Sequence, residues 1–162
     1  LLEEEKADIL TGEIAALIEN IPYKVVMIPH IAKDIEAINE VLKKMHYFNI
    51  ANNVIVAPYL QGFAGADKLF ALYRQSRQVV ATRLHANIGA ITMGRPCVGI
   101  EVADRIDYLY RSVGGEPAVE IRKGMAEEIF EKFGNSYTVE KAKLFTLGVY
   151  KQVFNKILGA GK

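Results

Sequence analysis

The hydropathy pattern predicts an α/β protein, a doubly wound parallel sheet flanked by helices and followed by a helical C-terminal tail. Three observations carry this. Short apolar runs without polar alternation recur at residues 24–28, 54–57, 79–81 and 97–100, as strands covered on both faces require. Between them, apolar residues recur at helical spacing. Proline or glycine closes the elements, at Pro22, Pro29, Pro58 and Gly94 to Pro96.

Taken in order, residues 2–19 read as a helix with Leu10, Ile14, Leu17 and Ile18 on one face, ended by Asn20 and Pro22. Lys24 to Ile28 is a buried strand. Asp34 then serves as N-cap of a helix marked by Ile35, Ile38, Leu42 and Met45, with His46 at its C-terminal end, where the helix dipole favours it. Val54 to Ala57 is a second buried strand, followed by a loop with Tyr59, Gln61, Gly62 and Gly65 and a helix over 66–75. Val79 to Ala81 is the third strand. Leu84 to Met93 is apolar almost all round, a helix buried on several sides, and Gly94 and Pro96 stop it in the usual order. Cys97 to Ile100 is the fourth strand. An edge strand at 118–121, a short helix near 125–133 and a long final helix over 138–158 complete the reading. The expected organisation is one sheet domain over 1–135 with a C-terminal helix over 136–162.

A chain of 162 residues, 51% hydrophobic, can bury a core without disulfides or metal. Its single cysteine, Cys97, excludes an internal disulfide and a thiolate zinc cluster, and inside an apolar strand it reads as a small core residue. A net charge of +1 argues against nucleic acid and against a polybasic membrane anchor. No apolar stretch approaches the roughly 18 residues that span a bilayer, so the expectation is a cytoplasmic protein, at most peripheral to the membrane. Leu1 stands where an initiator methionine would, so the chain is expected to be part of a longer product. P-loop, dinucleotide, nucleophile-elbow, zinc-protease and EF-hand motifs are all absent.

Ligands of open α/β sheets bind at the carboxyl ends of the strands. There the first strand leads into His30 and Asp34, the third into Thr82, Arg83 and His85, and the fourth into Glu101, Asp104 and Arg105. With parallel strands these groups share one rim. Arg83 and His85 lie between a strand and the first turn of an apolar helix, where N–H groups and the dipole favour an anion. A guanidinium there can hold a carboxylate or phosphate bidentately, and the histidine can donate to the same anion or move a proton. A structural reading, with Arg83 on a core carboxylate and His85 at the helix cap, stands beside it. His30 is either a ligand or a satisfied structural residue, and Glu101 either holds a sugar hydroxyl or merely ends a strand.

The segment VVATRLHANIGAITMGRPCVGIEVADRIDYLYRSVGG resembles the signature region of the polysaccharide pyruvyl transferase family: a buried strand, Arg83-Leu84-His85, a small-residue helix, Gly94-Arg95-Pro96 and another strand. YKVVMIPHIAKDIEAINEVLKKM is similar to the family's strand, Pro-His and Asp-bearing helix. The resemblance spans residues 22–115. It implies two Rossmann-like halves as in GT-B enzymes, with this chain as the C-terminal, donor-binding half and an N-terminal domain upstream. It implies transfer of a pyruvyl group from phosphoenolpyruvate to two hydroxyls of a glycan or lipid-linked sugar, giving a ketal, with no cofactor and with no residue singled out as a metal ligand. It implies that Arg83 and His85 hold phosphoenolpyruvate, that His85 is the general acid, and that His30 and Arg105 bind substrate; Glu101, at its strand end, is the remaining substrate-binding candidate. Arg105 stands where members often carry a lysine, and Gly65-Ala66-Asp67-Lys68 where they often carry a Ser and Glu. Self-association is compatible with this picture, and the fragment is expected to be inactive alone. Two other readings remain open: the nucleotide-sugar half of a GT-B glycosyltransferase, with Glu101 on a ribose, and a non-catalytic interaction domain.

Overall fold

The computed structural model describes residues 2–116 and 118–134, apart from the side chains of Phe63 and Ala64. The final helix expected over 138–158, and with it the boundary near 136, lies outside the described residues. The element order is α1 (Glu4–Asn20), β1 (Val25–Met27), α2 (Ala32–Lys43), α3 (Tyr47–Asn53), β2 (Val54–Val56), α4 (Gly62–Gln75), β3 (Val79–Ala81), α5 (Leu84–Thr92), β4 (Cys97–Glu101), α6 (Asp104–Ser112), β5 (Val119–Glu120) and α7 (Met125–Glu131). The strands pair in parallel, β1 with β2 and β3 with β4, each pair separated by helix in the chain. This is the expected Rossmann-like α/β arrangement. Contacts divide the chain into two compact units: one takes the residues up to Leu72 together with Val119–Lys132, the other Tyr73–Ala118.

In the first unit Val25, Val26 and Met27 register with Val54, Ile55 and Val56, and the Ala57 N–H extends the ladder to the Met27 carbonyl at 2.9 Å. Ala15 and Ile18 of α1 pack with Val41 and Met45, and Val25, Met27 and Val54 close on that cluster. The opposite face differs from the sequence expectation of strands buried on both sides: Val26 is 41% and Ile55 54% exposed. A run of valines and isoleucines does not by itself specify a covering layer; only a packed neighbour supplies one. Helix α3 is a further difference. Its Tyr47 and Phe48 are strongly exposed, so it has no apolar stripe for periodicity to find. Glu13 of α1 accepts from the Gly124 and Ala126 N–H groups, each at 3.0 Å, and so supplies α7 with a cap from 111 residues away in sequence.

The second unit is more fully buried. Val79, Val80 and Ala81 register with Cys97, Val98 and Gly99, and Val79 N–H reaches the Pro96 carbonyl at 2.9 Å. Ala90 and Ile100 are fully buried and Ile106 almost so. Helices α5 and α6 end alike. Gly94 has φ +69°, and Gly94 and Arg95 N–H donate to the Ile91 and Ala90 carbonyls; Gly114 has φ +66°, and Gly114 and Gly115 donate to Arg111 and Tyr110. Both are Schellman ends, and the left-handed residue is glycine because a Cβ is costly there. Helix α6 was absent from the sequence reading: it is polar apart from Ile106, Tyr110 and a few neighbours, and those two share one face, buried with Ala118. Among the described residues no helix is long and apolar enough to cross a membrane.

Candidate functional site

The β3–α5 and β4–α6 connections are built on one plan. The last registered pair is Ala81 with Gly99, and two residues further along come Arg83, just past β3, and Glu101, the last residue of β4. Arg83 is the N-cap of α5, in extended backbone with φ −108° and ψ 133°, and His85 is the second residue of the helix. Ala103 is the extended N-cap of α6, and Arg105 is its second residue. Because β3 and β4 are adjacent and parallel, both helix starts and Arg83, His85, Glu101 and Arg105 fall at the same edge of the pair. Arg83 and Glu101 are half-buried there, while His85 and Arg105 are exposed. His30 is half-buried after β1, in the first unit.

The two helix starts differ electrostatically. The first turn of α6 carries Asp104 and Asp107, whereas that of α5 carries no acidic residue. Carboxylates at a helix N-terminus compensate its partial positive charge, so α6 already holds its own anions. Asp107 is further engaged, accepting from the Arg111 guanidinium and from the Ala118 N–H. Helix α5 has no such carboxylate in its first turn, which carries an imidazole instead, with a guanidinium at the cap. That combination suits a carboxylate or phosphate.

Beneath this edge lies a residue that the sequence reading passed over. Asn87 of α5 is fully buried. Its Nδ2 donates to the Ala81 carbonyl at 3.2 Å and the Arg83 carbonyl at 2.8 Å. Its Oδ1 accepts from the Tyr110 hydroxyl at 2.8 Å and the Cys97 thiol at 3.4 Å. Tyr110 also lies 3.2 Å from the Cys97 carbonyl. Burial pushes the Cys97 thiol up to about 12 and the Tyr110 hydroxyl far above its ordinary range, so both stay neutral donors. Cys97 is the core residue that the sequence reading expected. Gly99 permits the packing. A Cβ there would collide with the Tyr110 ring and stand 3.0 Å from Asn87 Oδ1 and Ile106 Cγ2. A lone asparagine in an otherwise apolar helix was the signal available in the sequence.

Asp34 was expected as an N-cap. The cap of α2 is Ile31, and Asp34 sits in the first turn, its carboxylate accepting from the His30 and Ile31 N–H groups at 2.9 and 3.1 Å. It is the reaching-back half of a capping box, which serves the N–H groups at and before the cap rather than those in the first turn that an N-cap side chain would take. His46, expected at a helix C-terminus, is instead the N-cap of α3; Glu19 accepts from its backbone N–H at 2.6 Å and lies 2.8 Å from its Nδ1. Gly62 and Gly65, read as loop, belong to α4. A depression on α2, lined by Glu36, Asn39, Glu40, Leu42 and Lys43, contains none of the candidate side chains. Among the described residues no three His, Cys, Asp or Glu side chains gather as a metal site would need.

Residues 2–104 match the family model described as polysaccharide pyruvyl transferase. The match takes in His30, Arg83, His85 and Glu101, and Arg105 falls one residue past it. No curated protein and no solved structure matches the chain.

Proposed function

Because the chain belongs to the polysaccharide pyruvyl transferase family, we propose that it is the donor-binding half of a pyruvyl transferase and that its donor is phosphoenolpyruvate. The observation that carries the reading is the start of α5, which has a guanidinium at the cap, an imidazole at its second residue and no acidic side chain in its first turn. Phosphoenolpyruvate presents a carboxylate and a phosphate, and Arg83 matches either in bidentate fashion. His85, protonated, donates to the methylene carbon of the enol. Positive charge then develops at C2, and the first sugar hydroxyl attacks there, losing its proton to base. Departure of phosphate from C2 and attack by the second hydroxyl close the ketal. Histidine is the side chain most often used for such general acid catalysis. Glu101 and Arg105, at the same strand edge, would engage the acceptor and the leaving phosphate, and His30 is assigned to substrate as well. No cofactor enters this chemistry. The acceptor is a glycan or lipid-linked sugar, and catalysis needs an N-terminal half to complete the cleft.

Calorimetric titration of the chain with phosphoenolpyruvate and, separately, with a uridine diphosphate sugar tests the reading. Phosphoenolpyruvate should bind, and Arg83→Ala should weaken it roughly 100-fold, as loss of a charged bidentate contact does. Binding of the nucleotide sugar alone would transfer the site to the glycosyltransferase reading; binding of neither would leave an interaction domain.

A further inference from the structure

We infer that Asn87 is the positioning residue for Arg83: it fixes the turn that aims the guanidinium at the donor and never touches the donor itself. This rests on the reading of Arg83 as a donor-binding residue. A primary amide has two N–H donors and a carbonyl oxygen with two lone pairs, and in Asn87 all are committed. The two donors hold the Ala81 and Arg83 carbonyls, at 3.2 and 2.8 Å. Those carbonyls bracket residues Thr82 and Arg83, where the chain leaves β3 in extended backbone and enters α5. The Arg83 carbonyl lies in the peptide that follows Arg83 and the Ala81 carbonyl in the peptide that precedes Thr82, so the two-residue turn is held at both ends, which restricts the direction of the Arg83 Cα–Cβ bond. The backbone carbonyls decide which way round the amide sits. They can only accept, so the NH2 group faces them and Oδ1 faces the Tyr110 hydroxyl and Cys97 thiol, which donate to it.

Burial makes this a firm constraint, since a misaligned amide would strand polar groups away from water. Tyr110 comes from α6 and Cys97 from β4, so the aim of Arg83 is referred to the strand and helix that carry Glu101 and Arg105. The ordering of the turn is completed in folding, leaving less to be lost when a ligand binds.

The experiment is titration of the 162-residue chain and its variants with phosphoenolpyruvate. Asn87→Ala should weaken binding roughly tenfold, the size expected for loss of two buried neutral hydrogen bonds that act through a neighbour. Ile129→Ala, a core truncation in the other unit, lowers stability comparably and should leave affinity within about twofold of native. In an Arg83→Lys background the effect of Asn87→Ala should shrink to about twofold or less, because an ammonium on a flexible stem needs no fixed fork direction. Undiminished loss in that background, equal loss in Ile129→Ala, or native affinity in Asn87→Ala would each overturn the role. Should Asn87→Ala fail to unfold cooperatively, Tyr110→Phe decides. It removes the hydroxyl that donates to the amide oxygen, and about threefold weaker binding is expected, with native affinity counting against the proposal. A native chain that binds no phosphoenolpyruvate overturns the donor reading and this role together. A native chain that binds, with variants that bind equally, overturns only the role of Asn87.

Discussion

In the β1–α2 turn a carboxylate in the first turn of the helix reaches back to the N–H groups of His30 and Ile31. In the β3–α5 turn an amide one turn into the helix reaches back to the carbonyls of Ala81 and Arg83. Each connection leads from the carboxyl end of a parallel strand into a helix and presents a candidate binding residue. The means are opposite in charge and in environment. Asp34 is half-buried, so water screens it and shares its lone pairs, and a full charge is tolerable on orphan N–H donors. Asn87 is fully buried and must be neutral, because an unpaired charge there would cost far more than its hydrogen bonds return. It must also be fully partnered, which ties it to Tyr110 and Cys97 and obliges position 99 to be glycine. A half-buried pin is therefore replaceable and local. A buried pin recruits residues 10 and 23 positions away and cannot be changed without them.

The comparison breaks most readily at Gly99. Gly99→Ala places a methyl group against the Tyr110 ring and Asn87 Oδ1, and should cost about 3 kcal/mol, the upper range for overpacking. A urea unfolding midpoint equal to native would mean that the close approach is not holding the buried turn. Next in size is the pair of pins themselves. Asn87→Ala should cost about 2–3 kcal/mol and Asp34→Ala only about 1 kcal/mol by the same measurement, since one removes buried hydrogen bonds and the other leaves N–H groups that water can reach. Equal costs would erase the distinction.

The smallest effect concerns a third pin, between α1 and α3. The His46 backbone N–H, and then its ring, hold the Glu19 carboxyl below the usual carboxylate value of 4.5. A carboxyl whose folded value is depressed lends stability above its unfolded value and loses it as pH falls through the folded one. Native protein should therefore weaken as pH drops below about 4.5, and Glu19→Gln should weaken less over the same range. Parallel acid limbs in urea titrations of the two proteins would show that this surface contact carries no pH dependence.

Legibility in the sequence followed the same division. Arg83 and His85 could be found because a cationic pair between an apolar strand and an apolar helix is a local pattern. Helices α1, α2 and α5 could be found because their apolar residues repeat at short spacing. Helix α3 could not, since Tyr47 and Phe48 face water, and α6 could not, since Ile106 and Tyr110 count as buried only against a partner. Asp34 was seen as a capping residue but assigned one turn too early, because cap and capping-box positions differ by three residues and use the same side chain.

The sequence by itself determined the α/β class, the parallel strands, the helix end at Gly94 and the family, because each depends on neighbours within a few residues or on a contiguous motif. Only the tertiary structure decided that Val26 and Ile55 stay exposed, that Glu13 caps α7, and that Asn87 is fully buried and partnered. Burial and hydrogen-bond partnership are properties of what packs against a residue. For these side chains the packing partners lie too far along the chain for any local pattern to name them.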